Sequence, residues 1–324
     1  MKKYILLYTT EKSEDNICLT NMFKNNKKIK SGISDENVKK NISTIKELLE
    51  NNYEELIFSS FENGWEKIIK TVKDKKPKTI IKVICNTQDS LLYSEIEREN
   101  FFKLLECSKN KLIDEIAFLR KSQYELYSKL GYKSIYLMQN YILDKKIQIK
   151  KSKKEIINIG FFPLSYTWDK NIFNQLCVGK MLDNCILNYN CINERMKDFL
   201  SEMKIKNNPI NLKEVTDEEL IKNIMSNDAI ISTSFTEYLH PIFFISMELG
   251  IPCLCGNNSD LFDNFKEAEK LKEYIVTSCE DNAIINAKKI EEMLKNRNEI
   301  NKLYVSWKKM YNVKAQKCIE EFIG

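Results

Sequence analysis

The sequence has a single histidine, His240, in 324 residues, and its ten cysteines include no pair with C-x-x-C spacing. Protein zinc sites are commonly built from such cysteine pairs together with histidines, so a mixed Cys/His zinc site with two histidines is excluded. The cysteines fall mostly within apolar runs. We therefore interpret them as small core residues of a protein in a reducing cytosol, and we predict neither a metal ion nor a cofactor.

Long apolar segments are also missing. No stretch reaches the ~20 apolar residues that cross a bilayer, and the apolar run in "MKKYILLYTTEKSED" is too short for a signal peptide. The net charge of +5 is small and spread along the chain, which argues against a nucleic-acid partner. The sequence predicts a cytoplasmic protein with at most peripheral membrane contact.

The sequence does have a regular alternation of short apolar runs and segments with a helical period. Runs such as "ELIFSS" and "TIIKVIC" predict buried strands, and each precedes a helical segment. The alternation stops at "LDKKIQIKKSKKE", which we interpret as a solvated linker, and restarts at "IINIG". This pattern predicts the α/β class, with two doubly wound parallel-sheet (Rossmann-like) domains facing across a cleft. The ligand would bind there, at the carboxyl ends of the strands.

The predicted domains are residues 1–145 and 146–300, because a chain of 324 residues exceeds the usual size of a single core. Near the end of the second domain, the pattern predicts a helix at 262–271 and then a strand, "EYIVT". Residues 301–324 are predicted to be helical. The pattern leaves open whether this last helix crosses back to the first domain or packs on its own domain.

One strand end in the second domain is dense in polar residues. The apolar run 229–231 leads into "STSFTEYLHP", where hydroxyls, a glutamate and the histidine precede a helix. Proline fits the first position of a helix, so Pro241 places the helix's leading N–H groups, from Ile242 onward, at this strand end. Such a helix start favours an anion such as a diphosphate. The hydroxyls belong to Ser232, Thr233, Ser234 and Thr236.

A second strand end, "GFFPLSYTWDKN", contains Gly160 and Lys170. Glycine allows a close approach of the backbone, and a lysine near the start of the next helix can neutralise a phosphate. The alternative for Lys170 is a surface lysine beside a capping residue, Asp169.

A glutamate and the single histidine lie in the loop before Pro241. Glu237 would repel a phosphate, so it is better suited to accept hydrogen bonds from the hydroxyls of a sugar. His240 is a candidate for catalysis, and its alternative is an N-cap or a packed loop histidine.

The run "TEYLHPIFFISMELGIPCLCGNNS" resembles the donor-binding segment of GT-B glycosyltransferases of the retaining family 4 type. "IGFFPLSYTWDKNIFNQLCVGKML" resembles their upstream phosphate-binding segment, and "IDEIAFLRKSQYELYSKLGYKSIYLMQNYI" resembles the end of their N-terminal domain. The resemblance implies a nucleotide-sugar donor in the C-terminal domain and an acceptor in the N-terminal one. It also implies metal-independent catalysis, in which a helix dipole and basic side chains stabilise the leaving diphosphate. Glu237 and His240 would be catalytic, and the implied donor-binding residues are Lys170, Ser234, Thr236, Pro241, Ile242, Glu248 and Gly160.

The chain departs from that family's pattern in three places. Ser165 stands where the family usually has an arginine, and Ile245 stands where a second glutamate would hold the ribose. Glu248, one helical turn farther on, replaces that glutamate only in part. In the first domain, the loop "YTTEKSEDN" has no glycine-rich turn, and the domain has no histidine.

Two functions are therefore open. The resemblance favours an enzyme, a hexosyl- or N-acetylhexosaminyl-type glycosyltransferase for a glycan, lipid-linked or protein acceptor, with a partner glycosyltransferase as a further candidate interaction. The departures favour a degenerate GT-B protein that binds a partner or an acceptor without chemistry. A sugar-nucleotide epimerase is disfavoured, because the first domain offers no recognisable set of acid/base carboxylates.

Overall fold

The computed structural model shows a chain of two compact units. The first unit combines Met1–Tyr141 with Asn312–Gly324, and the second is Ile142–Tyr311. The structure describes residues 3–9, 13–30, 34–51, 53–62, 64–143, 156–163, 165–211, 217–236 and 241–324.

A parallel sheet of six strands, in the order β2-β1-β3-β4-β5-β6, forms the centre of the first unit. Its middle strands are buried runs, as expected for a sheet that helices cover on both faces. The strands are β1 (Tyr4–Thr9), β2 (Asn26–Ile29), β3 (Glu55–Phe58), β4 (Ile80–Cys85), β5 (Glu115–Phe118) and β6 (Ser134–Tyr136). The helices are α1 (Ser13–Met22), α2 (Asp35–Glu50), α3 (Trp65–Lys75), α4 (Glu95–Lys109) and α5 (Lys121–Lys129).

A second parallel sheet, of five strands in the order β11-β10-β7-β8-β9, forms the centre of the second unit. Its strands are β7 (Ile157–Phe161), β8 (Cys185–Asn190), β9 (Asn207–Ile210), β10 (Ala229–Ser232) and β11 (Cys253–Cys255). The helices are α6 (Ile172–Met181), α7 (Glu194–Glu202), α8 (Asp217–Met225), α9 (Pro241–Glu248), α10 (Glu269–Ile275), α11 (Ala283–Lys295) and α12 (Arg297–Ile323). Two sheets of parallel strands alternating with helices confirm the predicted α/β class and its Rossmann-like units.

The prediction near the end of the second unit is wrong in part. "EYIVT" was expected to be a strand, but its first three residues close helix α10, and Val276 makes only a single bridge to Cys255. Leu271 and Ile275 are both buried and stand four residues apart, which is the spacing of one helical face. Of the helix expected at 262–271, only the last three residues are α-helical, as the start of α10; before them lie two short 3-10 turns and the residues that connect them.

The last helix, α12, is continuous from Arg297 to Ile323, and its final residues belong to the first unit. There the ring of Phe322 packs edge-on against Phe23, with 6.3 Å between ring centroids. The carbonyl of Phe322 accepts a hydrogen bond from the ammonium of Lys82 on β4. No helix in the described part of the chain has the length and apolar character needed to cross a membrane.

Candidate functional site

Strands β7 and β10 lie side by side in the second sheet, with Ala229 paired to Ile159 and Ile231 to Phe161. The chain leaves β7 toward β8 on one side of the sheet and leaves β10 toward β11 on the other. This is the point where the strand order reverses, and ligands of doubly wound sheets bind outside the carboxyl ends of the strands at such points. The two polar segments singled out from the sequence are the loops that follow these two strands.

The two loops and the start of α9 enclose a small pocket. Three of the predicted donor-binding residues, Lys170, Ser234 and Ile242, lie in its wall. Its enclosed volume is about 10 Å³, the room of one water molecule, and it reaches about 260 Å³ when the open mouth is included. The enclosed part is too small for a phosphate group, so a phosphate at this site would have to bind at the mouth. The remaining wall is formed by Phe161, Phe162, Pro163, Gln175, Ile231 and Ser232.

Lys170 ends a 3-10 turn that begins at Trp168, directly before α6. Its side chain is only 17% exposed, and Nζ lies 3.9 Å from Oδ2 of Asp169, which is almost fully buried. The N-cap of α6 is Asn171, not Asp169. Lys170 is thus a partly buried ammonium in the pocket wall, and the alternative of a surface lysine beside a capping aspartate is wrong.

Amide side chains tie the loop after β7 to the loop after β10. Asn171, in the left-handed region with φ of 49°, donates from Nδ2 to the carbonyls of Thr233 at 3.1 Å and Glu280 at 2.7 Å. Gln175 accepts at Oε1 from the N–H of Thr233 at 2.8 Å and donates from Nε2 to the carbonyl of Lys170 at 2.7 Å. These bonds fix the backbone on both sides of the pocket.

Two buried polar atoms beside the pocket lack a hydrogen-bond partner among the described residues. They are Oδ1 of Asp169, a residue 1% exposed, and Oγ1 of Thr233, a residue 0% exposed. Burying a polar atom without a partner costs free energy, and most such atoms in folded proteins are paired. Both atoms therefore mark positions where a further hydrogen-bonding group is expected.

The described part of helix α9 starts at Pro241, the residue that the sequence predicts at the first helical position. Every residue from Pro241 to Met247 is buried, so the helix is fixed in place by apolar packing on all sides. A helix start carries a partial positive charge, and Ile242 in the pocket wall shows that this start faces the pocket. Glu237 and His240 lie in residues 237–240, outside the described part of the chain.

The structure does not bring Gly160 and Glu248 to the pocket wall. A Cβ at Gly160 would lie 2.5 Å from Cδ1 of Ile230 and 2.7 Å from the ring of Phe162. The absent side chain of Gly160 therefore makes room for protein atoms between β7 and β10, which corrects the expectation that the backbone here is open to a ligand. Thr236 is described, two residues beyond Ser234, but it is not part of the pocket wall either.

Glu248 ends α9, opposite to the end that faces the pocket. Its Oε1 accepts a hydrogen bond from the hydroxyl of Tyr304 at 3.0 Å and lies 3.6 Å from Nζ of Lys308. Burial and the nearby carboxylate raise the pKa of Tyr304 well above its ordinary value. This carboxylate is engaged by α12, so the structure gives no support to the ribose contact expected for Glu248.

Sequence reasoning missed Asn171 and Gln175, which hold the site together. Asn171 directly precedes α6, and Gln175 lies four residues later, within the helix. A buried amide at that spacing is a signal for a loop-holding network. What the sequence cannot give is the identity of the partners, since Thr233 lies 58 residues beyond Gln175.

The fold is similar to that of solved glycosyltransferase structures, at low sequence identity. HepE from Anabaena in complex with UDP and glucose is 10% identical, with a TM-score of 0.67 over 100% of this chain and 99% of that chain. Sucrose-phosphate synthase from Thermosynechococcus elongatus is 8% identical, with a TM-score of 0.66 over 99% and 98%. A UDP-forming alpha,alpha-trehalose-phosphate synthase from Burkholderia xenovorans is 7% identical, with a TM-score of 0.64 over 100% and 98%. No protein-family model and no curated protein sequence matches the chain. At these identities the similarity shows the fold, which is that of two parallel-sheet, Rossmann-like domains as in GT-B glycosyltransferases.

Proposed function

We propose that this protein is a glycosyltransferase that moves a hexosyl or N-acetylhexosaminyl group from a nucleotide-sugar donor to a glycan, lipid-linked or protein acceptor, without a metal ion. One observation carries the proposal: Lys170, Ser234 and Ile242 come from separate segments and converge where β7 and β10 end. A convergence at the point where the strand order reverses is the expected place for a nucleotide. The structural neighbours include a protein solved with UDP and glucose.

In this proposal the donor diphosphate binds at the pocket mouth, between Lys170 and the start of α9. The ammonium and the helix start both favour the negative charge that grows on the diphosphate as the glycosidic bond breaks. Lys170 is partly shielded from water, which strengthens its attraction for an anion relative to that of an exposed lysine. Charge of this kind, held in place before the reaction, makes a metal ion unnecessary.

The remaining roles extend this proposal to the loop before α9. Ser234 and Thr236 offer hydroxyls to the donor, Glu237 orients its sugar, and His240 lies next to the helix start in sequence. Glu248 and Gly160 have no part in it, because α12 engages the carboxylate of the first and protein atoms fill the space beside the second.

The test of the donor site is a comparison of two lysine substitutions. Calorimetric titration with UDP, GDP, ADP and dTDP should show one nucleotide that binds the unmodified protein. Lys170→Ala should weaken that binding by about tenfold or more, because a lost charge-assisted contact costs about 1.5–3 kcal/mol. Lys180→Ala, which removes an exposed lysine from the same region of the chain, is the matched control and should bind as the unmodified protein does.

Two outcomes of these titrations would contradict the proposal. Failure of all four nucleotides to bind, or equal losses in the two lysine variants, would remove the donor site. Hydrolysis of UDP-, GDP-, ADP- and dTDP-sugars should follow the binding results. Glu237→Ala should abolish turnover while leaving nucleotide affinity in place, because its proposed partner is the sugar.

The second candidate is a degenerate GT-B protein that binds an acceptor or a partner and performs no chemistry. The narrow enclosed pocket favours it, and so does Ile245, which is 0% exposed where the family's second glutamate would hold a ribose. Under this alternative no nucleotide binds and no donor is hydrolysed, so the titrations decide between the two.

A further inference from the structure

Asp169 is a buried carboxylate next to the proposed donor pocket. Its side chain is only 2% exposed, and its Oδ2 lies 3.9 Å from Nζ of Lys170. That distance is short enough for an ion pair and too long for a hydrogen bond. The other oxygen, Oδ1, has no hydrogen-bond partner among the described residues. The ion pair with Lys170 is therefore the main interaction that balances this negative charge in the described part of the chain.

The backbone around Asp169 is fixed on both sides of the ion pair. The carbonyl of Asp169 accepts a hydrogen bond from the N–H of Phe235 at 2.7 Å. The carbonyl of Lys170 accepts one from Nε2 of Gln175, also at 2.7 Å. Lys170 lies in the pocket wall, whereas Asp169 does not line the pocket. The carboxylate thus lies behind the wall, and a ligand in the pocket contacts the ammonium while it also experiences the field of the carboxylate.

A negative charge behind the pocket wall acts unequally on the two ligands of a sugar-transfer reaction. A fully ionised nucleoside diphosphate carries one more negative charge than its sugar ester, because cleavage of the glycosidic bond leaves that charge on the diphosphate. Repulsion between like charges grows with the charge of the ligand, and burial of the carboxylate limits the screening by water and salt. The carboxylate of Asp169 therefore opposes the product diphosphate more strongly than the donor.

This difference affects product release. Lys170 and the start of α9 favour the charge that grows on the diphosphate, so on their own they would bind the free diphosphate more tightly than the donor. We propose that Asp169 is a positioning residue that acts through Lys170: it holds the ammonium in the pocket wall, offsets part of its field and so lowers the affinity for the product relative to the donor. This inference rests on the proposed glycosyltransferase function.

The experiment compares product and donor affinities on the full chain. UDP, GDP, ADP, dTDP and their glucose esters are titrated by calorimetry at pH 8, where the terminal phosphate of a diphosphate is ionised. Asp169→Asn removes the negative charge and keeps the size of the side chain. Asp183→Asn makes the same change of charge at an exposed position two residues beyond the end of α6, and it is the matched control.

We expect Asp169→Asn to bind the diphosphate about fivefold or more tightly than the unmodified protein does, because a poorly screened like charge is removed. The gain for the glucose ester should be smaller, so the ratio of the two affinities shifts toward the product. A purely structural role of Asp169 would weaken both ligands together and leave that ratio unchanged. Asp183→Asn should keep both affinities within about 1.5-fold, because exposed charges are screened.

A second variant separates the effect of the charge from damage to the fold. Asp169→Ala also removes the carboxylate, and circular dichroism shows whether each variant folds. The affinity ratio is measured on one sample, so it does not depend on the folded fraction, and it should shift in the same direction in both variants. Failure of both variants to fold would make the carboxylate a structural group and overturn the inference.

The titrations also distinguish this inference from the proposed function. Equal affinity ratios in Asp169→Asn and the unmodified protein, with both proteins binding, would overturn the inference and leave the donor site in place. Binding of no diphosphate to either protein would remove the donor site and the inference with it. A diphosphate that binds only Asp169→Asn would support the effect of the carboxylate and contradict the donor function of the unmodified chain.

Discussion

The fluorescence of one tryptophan, Trp168, can report on binding at the proposed donor site. The chain has three tryptophans, and two of them, Trp65 and Trp307, are 1% and 0% exposed. Trp168 is 54% exposed and stacks on Phe235, with 6.1 Å between ring centroids and 28° between ring planes. Trp168 lies two residues before Lys170, and Phe235 directly follows Ser234. Because Lys170 and Ser234 are both in the pocket wall, the two rings lie beside the pocket mouth.

Iodide should therefore quench the emission of Trp168 selectively, and a nucleotide bound at Lys170 should protect it. We expect the iodide quenching constant to fall when UDP, or whichever nucleotide binds by calorimetry, is added to saturation. Trp168→Phe should leave an emission that iodide barely quenches, with or without nucleotide. Unchanged quenching at a nucleotide concentration that saturates the calorimetric signal would place the nucleotide away from Trp168 and the pocket.

Some residues of the site could be predicted from the sequence, and others could not. Lys170, Ser234 and Ile242 could be predicted, because each lies at a strand end or a helix start whose role follows from local pattern. Gln175 could not, since its partner in the site, the N–H of Thr233, lies 58 residues later in the chain. Pairing between distant loops is a property of the folded chain and leaves no local signal.

At the level of elements, the contact between β7 and β10 depends on Gly160. A Cβ there would come within 2.5 Å of Cδ1 of Ile230 and 3.0 Å of the side chain of Asn227. We expect Gly160→Ala to lower the free energy of unfolding by about 1–3 kcal/mol, the usual cost of overpacking a core. Urea unfolding followed by circular dichroism measures it, and nucleotide affinity should fall in parallel because both pocket loops leave these strands.

Gly179→Ala is the matched control for this substitution. Gly179 lies within helix α6, and its nearest neighbour would be Cγ2 of Ile205 at 3.2 Å, a contact that a small shift relieves. Alanine is favoured over glycine in a helix by about 1 kcal/mol, so this variant should unfold at the same urea concentration as the unmodified protein or a higher one. A Gly160→Ala protein as stable as Gly179→Ala would contradict the packing role given to Gly160.

The strands that sequence predicted best are short, continuous apolar runs. Strands β3, β4, β7 and β10 are apolar runs between polar segments, and each was expected. Strand β2, "NKKI", has a single buried residue, Ile29, and lies at the edge of its sheet. It forms because β1 offers it a partner, not because its own sequence favours a strand. The sequence pattern also does not predict helix α1, "SEDNICLTNM", because this segment lacks a sustained apolar stripe.

At the scale of the whole molecule, the first unit is completed by residues that are last in the chain. Asn312–Gly324 belongs to the first unit, about 170 residues after that unit's main part ends at Tyr141. Lys82 on β4 forms ion pairs with Glu55 at 2.9 Å and Glu115 at 3.6 Å, and it donates to the carbonyl of Phe322. This arrangement places the end of α12 against the central strands of the first sheet.

The ring of Phe322 is 0% exposed, so its removal should destabilise the first unit specifically. Phe322→Ala should lower the free energy of unfolding by about 3–5 kcal/mol, because the ring would leave a cavity beside Phe23. Val313→Ala is the control on the same helix, where a side chain 55% exposed should cost about 0.5 kcal/mol or less. UDP affinity should stay within about twofold in both variants, since the donor pocket is built only from residues of the second unit. Unfolding of the Phe322→Ala protein at the same urea concentration as Val313→Ala would show that the first unit is stable without this anchor.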